Sequence, residues 1–387
     1  VPQLRSLQGP RGRQDRGVLN RSRALGSAGI EASSSAAGPG LQAEGGASSI
    51  CSTSVGSCRA VDRTNSPWES RGGRLKRLAV MMPGQGSQFV GMGRDLAVAD
   101  ARAMELFELA DSVLDVPLSR ICWDGPVEEL TRTENAQPAI LLHSVIAWSL
   151  LPEDLRASVT IGAGHSLGEF TAYVAAGSLG LADALRLVRR RGEFMASSGD
   201  ERAGTMAAVI GLEPEAVRRA CVSVTTEGNV VVPANYNAPG QIVISGDVPA
   251  VEAAMAAASE MGARKVIPLT VSGAFHSPLM ESARSGLAKA ISEVELADPA
   301  WPVVANASAS EIRTASAARA RLVEQLTSPV RWVESVEVME ASGPDLWIEL
   351  GPGRVLSGLL KRIDRGQTSA AAGTPVELEQ MVEAFNA

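Results

Sequence analysis

The sequence has few of the residues that build disulfide frameworks, metal sites and membrane spans. Its 387 residues include only 4 Cys, 3 His and 14 aromatic residues (6 Trp, 2 Tyr and 6 Phe). The Cys residues lack the paired spacing of a zinc site and suggest no disulfide framework, so we expect no metal and favour a reducing compartment. No apolar run reaches the roughly 18–20 residues that a membrane span needs. Any chemistry that requires imidazole must use His143, His165 or His276.

Negative charge dominates most of the chain, although the net charge is only −7. Residues 1–75 carry 10 Arg, no Lys and 5 acidic residues, a net charge of +5, so the remaining residues carry −12. An acidic body of this kind argues against a general nucleic-acid binder. Hydrophobic residues make up 45% of the chain, which excludes disorder throughout.

Residues 1–75 have the composition of a disordered organelle transit peptide and linker. They are rich in Ser, Gly and Ala, contain Arg without Lys, and show no sustained hydrophobic period. A disordered tail without a targeting role is the alternative, and the 5 acidic residues fit a transit peptide less well. The first residue is Val rather than Met, which indicates an incomplete precursor. The Ser- and Ala-rich composition favours the plastid stroma over the mitochondrial matrix, since no amphipathic Arg-rich helix is evident.

The rest of the chain predicts an α/β fold. Residues 76–203 and 271–366 alternate between buried-strand and helix patterns, which indicates an α/β-hydrolase-like core built on a parallel sheet. Residues 204–270 instead follow the order β-α-β-β-α-β, which predicts an inserted ferredoxin-like subdomain. Residues 367–387 are interpreted as a linker, within Gly366–Gly373, and a C-terminal helix. Thr374 and Glu377 form a capping box at the start of that helix.

Ser166 is the candidate nucleophile. It lies in Gly164-His165-Ser166-Leu167-Gly168, a G-x-S-x-G sequence between a predicted strand, Val159–Gly164, and a predicted helix. A sharp strand-to-helix turn requires Gly on both sides, and it would present the Ser hydroxyl above the sheet edge. The Leu167 N–H would follow the nucleophile as an oxyanion donor. The alternative is a Gly-rich turn in which Ser166 only caps the helix.

His276 is the candidate base, because a Ser hydroxyl must be activated. His165 is adjacent to Ser166 in the chain, so its side chain would point elsewhere. His143 lies on an apolar helix and is better explained as a core histidine. His276 lies in a Gly- and Pro-containing loop after the predicted insert, where functional residues are common. Taken alone, it could also be an ordinary loop residue.

Arg191 lies on a predicted buried helix face. Its neighbours at i−4, i−3, i+3 and i+4 are all apolar, namely Leu187, Val188, Phe194 and Met195. A buried guanidinium needs an anionic partner, since its desolvation otherwise costs several kcal/mol. That partner could be a core acid in a structural ion pair. It could also be a substrate carboxylate, which the planar geometry of Arg suits.

Gln85 lies in Pro83-Gly84-Gln85-Gly86-Ser87-Gln88, directly after the first predicted strand. The loop lacks the third Gly of a dinucleotide-binding motif and the Lys-Ser/Thr pair of a P-loop. We therefore discount phosphate binding. On a tight loop at the carboxyl end of a strand, Gln85 could offer its amide to an oxyanion.

Seven motifs occur in order between residues 77 and 366. They are PGQGSQ (83–88), GHSLGE (164–169), RGEFM (191–195), NYNAPGQIVISG (235–246), GAFH (273–276), EQLTSPVRW (324–332) and ELGPGRVLSGLLKRI (349–363). Together they resemble the malonyl-CoA:acyl carrier protein transacylases of type II fatty acid synthesis. The resemblance implies Ser166 as the acylated nucleophile, His276 as the general base and Arg191 as the malonyl carboxylate site. It also implies an oxyanion hole formed by Gln85 and Leu167.

Two further roles follow from the same resemblance. Gln325 would orient the His through its backbone carbonyl, so no third acidic residue is required. Phe275 resembles the bulky residue that precedes the His in malonyl-selective members. The implied substrate is malonyl-CoA, the implied partner is an acyl carrier protein that carries the phosphopantetheine thiol, and no bound cofactor is implied. We expect a monomer that binds neither nucleic acid nor membranes.

Two other functions remain open at the level of sequence. A serine hydrolase or thioesterase of the α/β-hydrolase kind would share the Gly-x-Ser-x-Gly turn, but it does not explain Arg191, the predicted insert or the PGQG loop. A noncatalytic module that binds acyl carrier protein would leave Ser166 unacylated. These alternatives differ from acyl transfer in whether Ser166 is labelled and in where the acyl group goes.

Overall fold

The computed structural model describes residues 76–386, so the predicted transit peptide at residues 1–75 lies outside the described residues. The strands in this part of the chain are β1 (Leu78–Met82), β2 (Val159–Gly164), β3 (Gly204–Ile210), β4 (Val231–Ala238), β5 (Gln241–Asp247), β6 (Lys265–Pro268), β7 (Val303–Ala305), β8 (Ser310–Ile312), β9 (Leu346–Glu349) and β10 (Ser369–Ala371). They form two sheets, a mostly parallel sheet of six strands and an antiparallel sheet of four strands.

Helices account for most of the remaining described residues. They are α1 (Arg94–Ala99), α2 (Ala101–Leu114), α3 (Leu118–Asp124), α4 (Val127–Thr131), α5 (Thr133–Leu150), α6 (Glu153–Ala157), α7 (Leu167–Ala175), α8 (Leu181–Glu201), α9 (Pro214–Val224), α10 (Val248–Glu260), α11 (Glu281–Ser292), α12 (Ala315–Glu324), α13 (Trp332–Ala341), α14 (Val355–Ile363) and α15 (Pro375–Asn386). None of these helices is long and apolar enough to cross a membrane.

The larger sheet has the strand order β10-β9-β1-β2-β7-β8, and every pairing in it is parallel except that of β7 with β8. The predicted α/β class with a parallel-sheet core is therefore confirmed. Met82 at the end of β1 is in register with Gly164 at the end of β2, and β7 flanks β2 on its other side. The segments that follow β1, β2 and β7 consequently meet at one sheet edge, where ligands bind in open α/β sheets.

The central strand β1 explains how the core is layered. All five of its residues are buried. Leu78, Val80 and Met82 belong to an apolar cluster that includes residues of α5, α7 and α8, whereas Ala79 and Met81 belong to a cluster with residues of α13 and α14. Because successive side chains of a strand point to opposite faces, helices must cover both faces of this sheet.

The smaller sheet is antiparallel, with the strand order β4-β5-β3-β6. The chain enters it after α8 and leaves it before α11, and α9 and α10 lie between its strands in the sequence. Its apolar cluster is separate from the other two and includes Val209, Val217, Ile244 and Val251. The observed order of elements is thus strand, helix, strand, strand, helix, strand.

The structure differs from the sequence prediction within Gly366–Gly373. This stretch was predicted to be a linker, but it contains β10, which pairs with β9 at the edge of the larger sheet. The Trp347 N–H donates to the Thr368 carbonyl at 3.0 Å, and the Ala372 N–H donates to the Glu349 carbonyl at 2.9 Å. Small residues have little intrinsic strand preference, so this strand depends on the open edge of β9 rather than on its own sequence.

The C-terminal helix follows the prediction more closely. The Glu377 N–H donates to the Thr374 hydroxyl at 3.2 Å, as a capping residue requires. Met381 is fully buried, and Leu378, Val382 and Phe385 are partly buried against the main core. The apolar face of α15 therefore docks on the α/β core, as its spacing predicts.

A substitution at Trp347 tests how much the apolar cluster between the larger sheet and helices α13 and α14 contributes to the free energy of unfolding. Trp347 is fully buried in β9, and its indole N–H donates to Gln367 Oε1 at 2.9 Å. We expect Trp347→Ala to lower the free energy of unfolding by about 3–5 kcal/mol, because it leaves a large cavity. Val98→Ala is the control: Val98 is 80% exposed, so its change should stay within about 0.5 kcal/mol. Urea unfolding measures both, and equal effects would contradict this view of the core.

Candidate active site

Ser166 occupies a sharp turn between β2 and α7. Its backbone has φ 51° and ψ −105°, a left-handed conformation that L-residues rarely adopt. Such strain costs on the order of 1–3 kcal/mol and persists only where the surrounding structure enforces it. The turn places the Ser166 side chain at the N-terminus of α7, where unpaired N–H groups favour negative charge. This is the geometry that the G-x-S-x-G sequence predicts.

Three glycines allow the turn to pack. A Cβ atom on Gly164 would overlap the backbone of Gly168, and one on Gly168 would overlap the Met82 carbonyl at the end of β1. A Cβ atom on Gly84 would overlap the His165 carbonyl. The PGQG loop after β1 and the turn after β2 therefore touch through their backbones. Any side chain at these positions would separate them.

His276 is hydrogen-bonded to Ser166, with 2.7 Å between His276 Nε2 and Ser166 Oγ. Its other ring nitrogen, Nδ1, lies 3.0 Å from the Gln325 carbonyl and 3.2 Å from the Ser328 carbonyl. Because carbonyls only accept, we assign the proton to Nδ1, which leaves Nε2 free to accept the Ser166 proton. Burial, together with the nearby Arg191 cation, lowers the pKa of His276 to about 3, so the imidazole is neutral at neutral pH.

Arg191 is buried as predicted, with 1% exposure. Its Nη2 donates to Ser166 Oγ at 3.1 Å and to Gln325 Oε1 at 3.0 Å, while its Nη1 donates to Gln137 Oε1 at 2.7 Å. All three acceptors are neutral. Burial lowers the pKa of Arg191 to about 10, so it remains a cation at neutral pH. The guanidinium therefore lies beside the candidate nucleophile, and among residues 76–386 no carboxylate contacts it directly.

Asn306, which sequence reasoning missed, braces the turn from the end of β7. Its Oδ1 accepts from the Ser166 N–H at 2.7 Å, and its Nδ2 donates to the Gly164 carbonyl at 2.8 Å. Both contacts cross about 140 positions of sequence, so no local pattern shows them. The available signal was weaker: Asn306 is a polar residue directly after a buried strand whose carboxyl end lies at the candidate site.

Glu169 was also missed, although it lies in the first turn of α7. It is fully buried, and its Oε2 accepts from the Asn306 N–H at 3.0 Å and from Gln325 Nε2 at 2.8 Å. Its neighbours at i+3 and i+4 are Ala172 and Tyr173. The reasoning that predicted a buried face for Arg191 would have found Glu169 as well.

Leu167 and Gln85, the two predicted oxyanion-hole residues, differ in which of their N–H groups have a hydrogen-bond partner. Leu167 is the first residue of α7, and its N–H has no partner within the helix. The Gln85 side chain instead donates from Nε2 to the Thr133 hydroxyl at 3.3 Å. Within residues 76–386, the Gln85 backbone N–H has no hydrogen-bond acceptor. Gln85 and Ser166 line one cavity, and the backbone N–H of Gln85 is free to donate there while its side chain bonds to Thr133.

A cavity of about 350 Å³ opens beside Ser166 and His276. Its apolar lining comes from α8, from the smaller sheet and from the segment between β6 and His276: Met195, Met206, Val243, Leu269, Val271 and Phe275. Phe275 is only 6% exposed. A second cavity, of about 630 Å³, shares Gln85, Thr131 and Thr270 with the first. The nucleophile is therefore reached through a largely apolar chamber with a wider adjoining space.

Comparison with known proteins identifies the family. The sequence profile described as the acyl transferase domain matches residues 80–377. The chain belongs to this acyltransferase family. It is 43% identical to the malonyl CoA-acyl carrier protein transacylase of Bacillus subtilis over 311 residues, which cover 80% of this chain and 97% of the relative. It is 41% identical to the protein of the same name from Escherichia coli K12, over 80% of this chain and all of the relative.

Solved structures of acyltransferases resemble the chain equally closely. The malonyl-CoA:acyl carrier protein transacylase of Xanthomonas oryzae superposes with a TM-score of 0.76 at 42% identity, covering 80% of this chain and 98% of that one. A malonyl-transacylase in complex with a type II polyketide synthase acyl carrier protein superposes with a TM-score of 0.77 at 41% identity, covering 80% and 99%.

The other two histidines of this acyltransferase lie away from the Ser166 hydroxyl. His165 Nε2 is 2.8 Å from Asn237 Oδ1, and the ring of His165 packs against Trp332. His143 Nε2 is 2.8 Å from the Gly373 carbonyl and is buried in the core. Across the part of the chain that the structure describes, no cluster of three or more His, Cys, Asp or Glu residues could hold a metal ion.

A substitution at Gly168 tests the close packing of the Ser166 turn against the backbone at the end of β1. We expect Gly168→Ala to lower the free energy of unfolding by about 1–3 kcal/mol, because the new methyl group must displace the β1 backbone. Gly358→Ala is the matched control. Gly358 lies in α14 with open space around its Cβ position, so Ala there should leave stability unchanged or raise it by up to about 1 kcal/mol. Similar effects of both variants in urea unfolding would contradict the packing argument.

Proposed function

We propose that this acyltransferase transfers a malonyl group from malonyl-CoA to the phosphopantetheine thiol of an acyl carrier protein, through a malonyl ester on Ser166. The observation that carries the proposal is the 3.1 Å separation between Arg191 Nη2 and Ser166 Oγ in a buried site. A nucleophile and a base suffice for ester hydrolysis, whereas a cation at this position suits an acyl group that ends in a carboxylate. The names of the relatives point to the same substrate.

The first half-reaction follows from the contacts of Ser166 and His276. Ser166 Oγ attacks the thioester carbon of malonyl-CoA while His276 Nε2 accepts its proton. The Gln325 and Ser328 carbonyls hold the Nδ1 proton and stabilise the imidazolium that forms. Coenzyme A then leaves as its sulfur takes the proton from His276. The phosphopantetheine thiol of the carrier protein reverses these steps and takes the malonyl group from Ser166.

The negative charge on the thioester oxygen develops at the N-terminus of α7. The Leu167 N–H is directed there, and we assign the second donor to the backbone N–H of Gln85. Removing one such donor lowers the rate by about 10²–10³ in enzymes of this kind. The Asn306 side chain supports the arrangement indirectly, because its bonds to Ser166 and Gly164 maintain the strained backbone of the turn.

Acyl selectivity depends on Arg191 and on the wall of the cavity. In the structure, Arg191 Nη2 donates to the Ser166 hydroxyl. We infer that the malonyl carboxylate takes over this donor and pairs with the guanidinium once the acyl group lies in the cavity. Phe275 bounds the same cavity, so it limits the room for a branched acyl group. We assign the acyl end to the smaller cavity and the pantetheine arm to the wider adjoining space.

The two sheets support a more specific interpretation of the fold. We infer that residues 76–203 and 271–366 form an α/β-hydrolase-like core and that residues 204–270 form a ferredoxin-like subdomain. The strand-helix alternation and the turn after β2 support the first assignment. The element order of the insert and its sheet order, β4-β5-β3-β6, support the second. The subdomain contributes Met206 and Val243 to the cavity beside Ser166.

Acyl capture on Ser166 is tested by intact-mass measurement after exposure to malonyl-CoA, followed by peptide mapping. We expect one added malonyl group per chain, located on Ser166, and none on Ser166→Ala. Addition of holo acyl carrier protein should then move the group to the carrier. Free malonate as the main product would favour a serine hydrolase, and an unmodified Ser166 would favour a noncatalytic carrier-binding module.

Arg191→Ala tests acyl selectivity separately from acyl capture. We expect malonyl loading to fall by about 10- to 100-fold, because a charge-assisted pair contributes about 1.5–3 kcal/mol. Acetyl loading should be retained or raised, since an acetyl group has no carboxylate. Arg190→Ala on the same helix is the control: its side chain is 41% exposed and pairs with Glu293 on the surface. Equal loss of malonyl and acetyl loading in Arg191→Ala would contradict a carboxylate site.

A further inference from the structure

Glu169 is a buried carboxylate that the reaction described above does not use. Its Oε2 accepts two hydrogen bonds, from the Asn306 N–H and from Gln325 Nε2. Its Oε1 is buried and has no hydrogen-bond partner among the described residues. A buried ionised oxygen without a donor costs more free energy than a neutral protonated one. The structure thus offers a place for a proton at Oε1.

A single amide connects this carboxylate to the buried cation of the site. Gln325 Oε1 accepts from Arg191, while Gln325 Nε2 donates both to Glu169 and to the Ser166 carbonyl. Arg191 and Glu169 therefore lie at opposite ends of one oriented dipole. Neither charge has a direct ionic partner within residues 76–386. In a desolvated site, each offsets the other through the amide.

The charged and titratable groups around Glu169 place its pKa near neutral pH, so both its ionised and its protonated form are accessible. Burial raises its pKa to about 7, against the lowering effects of its two hydrogen bonds and of Arg191 and Arg321. Arg191 approaches from α8 and Arg321 from α12. Tyr173, one turn further along α7, is neutral because burial raises the pKa of its hydroxyl. His276 is neutral as well.

We propose that ionised Glu169 neutralises Arg191 in the empty site and takes up a proton from solvent when a malonyl carboxylate binds there. This rests on the proposed function, in which Arg191 binds that carboxylate. A second carboxylate beside Arg191 repels the charge of Glu169 in this desolvated site, which favours protonation of one of the two carboxylates. The malonyl carboxylate pairs directly with the guanidinium and stays ionised. The proton therefore goes to Glu169 Oε1, and no other bond changes.

The proposal predicts a pH dependence that is specific for malonyl groups. Malonyl binding raises the pKa of Glu169, so malonyl affinity is highest where Glu169 is already protonated and falls as the pH rises above about 7. Each unit of that rise corresponds to about a tenfold loss of affinity between low and high pH. An acetyl group brings no charge, so its affinity should not follow this curve. A purely structural Glu169 would affect both acyl groups alike.

Proton uptake can be measured directly by titration calorimetry on the Ser166→Ala chain, which binds but cannot react. Malonyl-CoA and acetyl-CoA are each titrated at pH 7.5 in two buffers of different ionisation enthalpy. Both ligands carry the CoA phosphates, so subtracting the proton uptake measured with acetyl-CoA removes the contribution of those phosphates. We expect uptake of a substantial fraction of a proton with malonyl-CoA beyond that with acetyl-CoA. No excess uptake, with malonyl-CoA still bound more tightly, would overturn the role of Glu169 alone. Equal affinity for both ligands would overturn the Arg191 carboxylate site and this proposal with it.

The variant Glu169→Gln provides a second measurement. Its amide oxygen can accept from Asn306 and Gln325, so it resembles the protonated state. In the Ser166→Ala background it should abolish the excess proton uptake. With Ser166 present, it should remove the rise of the malonyl-CoA KM above pH 7. Glu193→Gln, at an exposed site on α8, should change neither quantity. Retention of the excess uptake in Glu169→Gln would overturn the proposal.

Discussion

The contact between the Arg191 guanidinium and the Ser166 hydroxyl is the interaction on which the proposed function of this acyltransferase depends. A cation at 1% exposure is expensive to desolvate, and its partners within residues 76–386 are neutral oxygens rather than an acid in direct contact. A bound anion would therefore stabilise the guanidinium. Under the proposed function, a substrate carboxylate that pairs with Arg191 also brings its acyl carbon next to Ser166.

The architecture of the fold brings this pair together and holds it. Parallel strands β1, β2 and β7 end at one sheet edge, which gathers the PGQG loop, the Ser166 turn and Asn306. Helix α8 contributes Arg191, which donates to the Ser166 hydroxyl. Gln325 contacts four residues of the site: its carbonyl accepts from His276, and its side chain bonds to Arg191, Glu169 and the Ser166 carbonyl. A single residue from a distant segment of the chain therefore bonds to the candidate base, to the cation and to the turn that carries the candidate nucleophile.

The sequence predicted the features that depend on neighbouring residues, but it did not predict those that depend on contacts between distant segments. Ser166 was predictable because the turn requires two nearby glycines, and Arg191 because four apolar neighbours defined its helix face. Asn306 was not, since its partners lie about 140 positions away and only the sheet topology brings them together. Likewise β10 was predicted as a linker, because its small residues form a strand only against the edge of β9.

A crystal structure of the chain trapped as its malonyl ester tests this account most directly. We predict that Ser166 Oγ carries the acyl group and that a malonyl carboxylate oxygen lies within hydrogen-bond distance of an Arg191 nitrogen. The thioester-derived oxygen should face the Leu167 N–H. A malonyl group whose carboxylate points to solvent, with Arg191 still bonded only to Gln137 and Gln325, would contradict the central claim.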